Sequence, residues 1–171
     1  MDSEKRRTQI LNLLNSKNHP IKGVDLAKEF QVSRQVIVQD IALLRAKGKD
    51  IISTPQGYMV LNSDKNNNLV KTIVCRHLGY EAIKAELSCI VDMGGKVLDV
   101  IVEHPVYGEI KSPLMINSRL DIENFLDNLK NTKAEPLSTL TNGIHLHSIE
   151  VKDEEIFLKI KTALKENGFL V

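Results

Sequence analysis

Seven consecutive residues, Asn62-Ser63-Asp64-Lys65-Asn66-Asn67-Asn68, carry no apolar side chain. A run of that kind cannot join a hydrophobic core and reads as a flexible linker. It divides the 171-residue chain into residues 1–61 and 69–171, each long enough for a small domain. The charge divides at the same place. Residues 1–61 hold ten Lys and Arg against six Asp and Glu, and the rest of the chain holds thirteen against sixteen. A basic first part and an acidic second part predict that only the first touches a polyanion.

The first part reads as three helices and a hairpin. Residues 4–16 place Ile10, Leu13 and Leu14 on one face, the spacing of an amphipathic helix. A second, short helix spans about 23–30, with Val24, Leu26, Ala27 and Phe30 turned inward. Gln31-Val32-Ser33 breaks it, and Ser33 is a good N-cap for a third helix from Arg34 to about Lys47. Gly48 is placed to end that helix. Ile51–Thr54 and Tyr58–Leu61, joined by Pro55-Gln56-Gly57, then read as a β-hairpin. Helix, turn, helix and hairpin is the order of a helix-turn-helix with a wing. The polar positions of the third helix, Ser33, Arg34, Gln35, Gln39 and Arg45, are types that bond phosphates and base edges. Arg34 and Gln35, at the helix start, are the candidates for base contact. Lys5, Arg6, Arg7, Arg45 and Lys47 suit phosphates or solvent. The stretch from Val32 to Gly48, with the Gly57-Tyr58 turn, resembles the winged helix-turn-helix of bacterial regulators of the biotin-operon type.

The second part alternates strands and helices. Strands are expected over Leu69–His77, Lys96–Glu103, about Glu109–Ile116, and at His145. Helices are expected over about Glu81–Met93, Arg119–Asn131 and Asp153–Asn167, with Ser118 and Asp121 opening the second. Strand, helix, strand, strand, helix, strand, helix predicts an α+β fold, a ferredoxin-like split βαβ sandwich with an extra C-terminal helix.

Gly143-Ile144-His145-Leu146-His147 carries the chemistry. On a strand, residues two apart share a face, so both imidazoles enter one pocket and can hold one metal ion. The apolar residues between and after them are expected on the other face. His77, at the end of the first strand of this part, is a further ligand candidate, and the following helix offers Glu81 or Glu86. Three imidazoles and a carboxylate suit nickel, zinc or iron. Asp92, Glu103 or backbone carbonyls are candidates to orient the rings. Cys75 shares the face of His77 and is a less favoured ligand; Cys75 and Cys89 read as reduced thiols.

His77, Glu86-Leu87, Val91–Gly95, Glu103-His104-Pro105-Val106-Tyr107-Gly108, Leu137–Gly143 and His145-Leu146-His147, taken with the winged helix, resemble the niacin-responsive transcriptional repressor family. The resemblance covers nearly the whole chain. It implies His77, Glu86, His145 and His147 as metal ligands, nicotinic acid or nicotinamide as the effector, operator DNA as partner and a homodimer as the acting form. A repressor of NAD-synthesis or niacin-uptake genes follows, with His104 and Tyr107 reading the far end of the ligand.

Rival readings share the residues. The metal itself can be the signal, or an open metal site can activate water in a hydrolase. No glycine-rich phosphate loop or nucleophile elbow is present and no general base is evident, so a non-enzyme is expected. A third reading gives the second part dimerisation alone. With 42% hydrophobic and 26% charged residues, no apolar N-terminal run and no membrane-length window, the expected place is the cytoplasm.

Overall fold

The structure, a computed structural model, describes residues 2–61 and 67–171. The chain divides into two units, Met1–Lys65 and Asn66–Val171. Most of the expected linker, 62–66, lies outside the described residues; Asn67 and Asn68 are exposed.

In the first unit, helices α1 (Ser3–Ser16), α2 (Gly23–Glu29) and α3 (Arg34–Ala46) precede strands β1 (Ile51–Thr54) and β2 (Gly57–Val60). Ile10 and Leu14 of α1, Leu26 of α2, and Ile37 and Ile41 of α3 close on one core. Full burial of such an aliphatic side chain contributes about 1.5–3 kcal/mol. The Ser33 hydroxyl accepts from Val36 N at 3.3 Å, so the expected cap is present. Arg6 and Arg7 do not stand free. Arg6 Nε donates to Asp40 at 2.6 Å and Arg7 reaches the same carboxylate at 3.4 Å, which corrects their reading as phosphate contacts. Asp40 is buried on α3, so these pairs tie α1 to the third helix. Ile21 bridges Tyr58 by two backbone hydrogen bonds of 2.9 Å, adding a third strand position to the hairpin. At Gly57 a Cβ would come within 2.3 Å of Ile21 O, so only glycine allows that approach.

The second unit runs β3 (Leu69–Arg76), α4 (Tyr80–Asp92), β4 (Lys96–His104), β5 (Gly108–Ile116), α5 (Arg119–Thr132), β6 (Ile144–Val151) and α6 (Glu154–Glu166). A short 3-10 helix, Leu137–Thr141, precedes β6. The sheet order is β3-β6-β4-β5, with every neighbouring pair antiparallel. Both βαβ units are split, as expected, with β6 between β3 and β4 and β4 between β5 and β6, but the order is not the ferredoxin-like one: that fold puts its first and third strands at the centre, and here the fourth (β6) and second (β4) lie there. Ser118 and Asp121 form a capping box that starts α5. One core joins Ile73, Val97, Ile116 and Ile149 of the sheet to Leu87 and Ile90 of α4, Ile122 of α5, and Ile160 and Leu164 of α6. The helices therefore cover one face of the sheet.

That face is also the one the histidines occupy. His145, His147, Ile149 and Val151 alternate along β6 and are all buried. Ile149 thus lies beside the histidines and not behind them, because it is two residues further along the same strand. Ile144 and Leu146 do point the other way, as expected. After α6 the chain returns to the edge of β3. Arg76 N donates to Phe169 O at 2.9 Å and Val171 N to Val74 O at 3.1 Å. No helix among the described residues is long and apolar enough to cross a membrane.

Candidate functional site

Ser33, Arg34, Gln35, Gln39, Arg45 and Lys47 are all exposed. The buried stripe of α3, Ile37, Asp40, Ile41 and Leu44, fixes which face remains for a partner. Ser33 is half committed, since its hydroxyl caps the helix. Arg45 is committed further. Its Nε donates to Ile51 O at 2.7 Å and its Nη2 to Ser53 Oγ at 3.2 Å, so it braces α3 against the β1–β2 hairpin. Lys47 lies 3.6 Å from Glu4 in an exposed pair of little energetic weight. Arg34, Gln35 and Gln39 have no such ties among the side-chain hydrogen bonds of the described residues.

The second site lies between α4 and the near ends of β3 and β6. The Gly143 turn, with its αL Asn142, sets the start of β6. His77 N donates to Gly143 O at 3.3 Å, which brings the end of β3 against that turn. The second turn of α4 carries Glu86 inward, next to core Leu87. Three ring nitrogens then converge on one carboxylate oxygen. Glu86 Oε2 is 2.5 Å from His77 Nε2, 3.2 Å from His145 Nε2 and 3.6 Å from His147 Nε2. Ligand atoms of His77, Glu86 and His145 lie within 4.8 Å of one another. Glu81, the alternative carboxylate, is not in this group and is exposed.

The far nitrogens settle the ring orientation. His145 Nδ1 lies 2.8 Å from Gly143 O, and His147 Nδ1 lies 2.6 Å from Asp99 O. A carbonyl only accepts, so both Nδ1 atoms carry the proton. In the neutral rings each Nε2 then aims a lone pair at a carboxylate that is 1% exposed. Lone pairs cannot face an anion at that range without a proton or a cation between them. Burial lowers the pKa of His147, but the charge and hydrogen bond of Glu86 more than offset it and hold it raised. Burial likewise pushes Glu86 up, and the charge of His147 with the bonds from His145, His147 and His77 outweigh it and hold Glu86 well below the carboxylate range. Two atoms of this cluster gain no hydrogen-bond partner among the described residues: His77 Nδ1 and Glu86 Oε1, both buried. Leaving a buried polar atom unpaired costs about 1–3 kcal/mol. A donor set of imidazole and carboxylate, backed by carbonyls, fits a divalent transition metal. Burial, then the charge of Glu86, push the Cys75 thiol up, so it stays protonated beside the group.

Residues 70–171 match the 3H domain family model, and residues 6–59 match an HTH domain. The chain is 43% identical over 168 residues to the probable transcription repressor NiaR of Thermotoga maritima, covering 98% of this chain and 94% of that one. It is 41% identical to the transcription repressor NadR of Bacillus subtilis, covering 97% and 93%. The chain belongs to the NiaR/NadR family of transcription repressors. Membership in a family of named repressors agrees with a regulator and not an enzyme.

Within the 3H domain, two parts of the site had no signal at the level of sequence. Phe169 packs edge-on against His77, with ring centroids 5.3 Å apart. It arrives through the return of the tail along β3, a long-range pairing. Asp99 orients His147 by its backbone oxygen, while its carboxylate accepts from Ser148 N at 2.9 Å and pairs with Lys111 at 3.0 Å. Asp92 and Glu103 take no part: Asp92 pairs with Arg119, and Glu103 is exposed. His104 and Tyr107 sit together at the β4–β5 hairpin. His104 Nδ1 accepts from Val106 N and Tyr107 N at 3.1 and 3.2 Å, and Tyr107 is 78% exposed. Their rings are 5.0 Å apart, and no hydrogen bond or ring contact among the described residues joins them to the cluster.

Proposed function

We propose that this repressor acts on genes of NAD synthesis or niacin uptake, with nicotinic acid as co-repressor held at a metal-containing 3H domain. The observation that carries the reading is the convergence of His77, His145 and His147 Nε2 on the buried Glu86 oxygen. In this reading those four residues hold nickel, zinc or iron. The ion supplies an open coordination position and a positive charge for a carboxylate or a pyridine nitrogen. Glu86 offsets the ionic charge, and Gly143 and Asp99 carbonyls keep the imidazoles presented. His104 and Tyr107 are assigned to the outer end of the ligand. His104 has only Nε2 left for that role, since Nδ1 serves the turn. Arg34 and Gln35 read bases, and Gln39 and Lys47 position the duplex. Two copies bind two half-sites.

A second reading has its own support. Glu86, His145 and His147 are nearly sealed from solvent, which suits an ion better than an organic ring. There the metal alone is the effector. Calorimetric titration of nicotinic acid and of nicotinamide into metal-loaded and chelator-treated protein separates the two. Heat of binding only in the loaded protein, and its loss in His145→Ala/His147→Ala, supports the niacin reading. Metal binding with no organic ligand heat moves the assignment to metal sensing.

A further inference from the structure

Gly23 opens α2 and is not among the glycines with positive φ, so its backbone does not call for glycine. Alanine is the better helix former at such a position. The missing side chain answers to space instead. A Cβ built on Gly23 would meet Tyr58 Cε2 at 3.2 Å, Arg34 Nε at 3.7 Å and Arg34 Cγ at 3.9 Å. The first residue of α3 therefore lies across the first residue of α2, with the Tyr58 ring beside them. That ring is itself held. Tyr58 N donates to Ile21 O and Ile21 N to Tyr58 O, both at 2.9 Å, just ahead of Gly23. Tyr58 is half-buried against the core of the first unit, whereas Arg34 is exposed.

We infer that Gly23 and Tyr58 are positioning residues for base reading: they form a seat that aims the Arg34 guanidinium from the start of α3. The inference rests on Arg34 as a base contact in the proposed function and deepens that reading. An arginine side chain has wide rotamer freedom, and giving it up on binding costs affinity. Its planar fork also matches a base edge only from a narrow range of directions. A seat that narrows those directions before DNA arrives reduces the cost and meets the geometric demand.

Gly23 supplies the seat by having no side chain, since the stem of Arg34 passes beside the place where a Cβ would stand. Tyr58 closes one side. With no hydrogen-bond tie on its guanidinium among the described residues, Arg34 takes its direction from this packing. The β1–β2 hairpin thereby bears on sequence choice through Tyr58 without touching a base.

The test is enrichment of sequences from a random duplex pool by the full chain, with and without nickel and nicotinic acid. Affinities are then measured for the enriched site and its single-base variants. Each protein variant is first checked for a wild-type thermal transition. Arg34→Ala is expected to flatten the preference at one base pair. Gly23→Leu fills the seat and lowers the preference at that same base pair about tenfold, leaving the other base pairs as in wild type. Gly23→Leu/Arg34→Ala discriminates as Arg34→Ala does. Gly23→Ala favours the helix and only crowds the ring, so roughly a threefold loss at that base pair is expected, with a thermal transition at or above that of wild type. This variant decides the matter if Gly23→Leu fails to fold. Tyr58→Phe keeps the ring and keeps the preference. No enriched site, an Arg34→Ala without effect at any base pair, or full preference in both Gly23 variants overturns the inference. So does a loss spread over all base pairs, or a double variant that discriminates less than Arg34→Ala. An enriched site absent from niacin-transport and NAD-synthesis promoters sinks the proposed function and leaves the seat standing.

Discussion

Glu86 Oε2 stands 2.5 Å from His77 Nε2, joining the second turn of α4 to the residue that follows β3. The carboxylate is the one anion among three imidazoles. Glu86→Gln keeps the shape and removes the charge. Metal affinity is expected to fall by more than the roughly 10–100-fold that loss of an orienting partner costs. In the wild type, nickel or zinc at a hundred times its dissociation constant should stabilise the folded chain by about 2.7 kcal/mol. Thermal melts with and without ion read this directly; equal shifts in wild type and Glu86→Gln would remove the carboxylate from the site.

Gly143 serves two residues of the site through one turn. A Cβ there would fall 2.5 Å from His77 O, and its φ is +88°. Gly143→Ala is expected to destabilise the second unit by about 1–3 kcal/mol through strain. It should also weaken metal binding, since the turn carries His145 and presses on His77. Denaturant unfolding and a metal titration on the same preparation check both effects.

Asp40 is buried against two arginines of α1. Asp40→Asn leaves these cations without their anion in a partly buried place. A loss of about 3 kcal/mol is expected, at the lower end for a broken buried pair because Arg6 and Arg7 keep some solvent. A loss below about 0.5 kcal/mol in denaturant unfolding of the full chain would mean the pair is ordinary surface charge.

Arg45 and Arg34 are expected to fail differently. Arg34→Ala should cost about 1–3 kcal/mol of operator affinity and relax base preference at one position. Arg45→Ala loses its bonds to Ile51 O and Ser53 Oγ, so it should loosen the wing and weaken operator binding with the salt slope unchanged. A slope smaller by about one unit would show that Arg45 touches a phosphate instead.

The helical half of the chain was legible because its cues are local. Ile10 and Leu14, Ile37 and Ile41, and the Ser33 cap are short-range patterns, and each holds in the structure. The pairing of His145 with His147 was legible for the same reason, through strand alternation. Alternation also places Ile149 with them, once its even spacing is followed. The residue pattern alone leaves Glu86 and Glu81 open; the family resemblance implies Glu86, and the packing of α4 on the sheet buries Glu86 and leaves Glu81 exposed. Phe169, Asp99 and the engaged guanidinium of Arg45 were not legible at all. They depend on pairings across the tail, the β4 bulge and the wing, where distant segments decide which groups meet.

In the proposed function, His77, Glu86, His145 and His147 hold a metal that couples a niacin-type ligand to DNA binding. The measurement is fluorescence anisotropy of labelled DNA from a niacin-transport or NAD-synthesis promoter, at fixed salt, with nicotinic acid and chelator each present or absent. Tight binding is expected only when nicotinic acid is present and the metal is retained, with loss of that response in His145→Ala/His147→Ala and basal affinity kept. Operator binding that is unchanged by nicotinic acid and by chelation would contradict it.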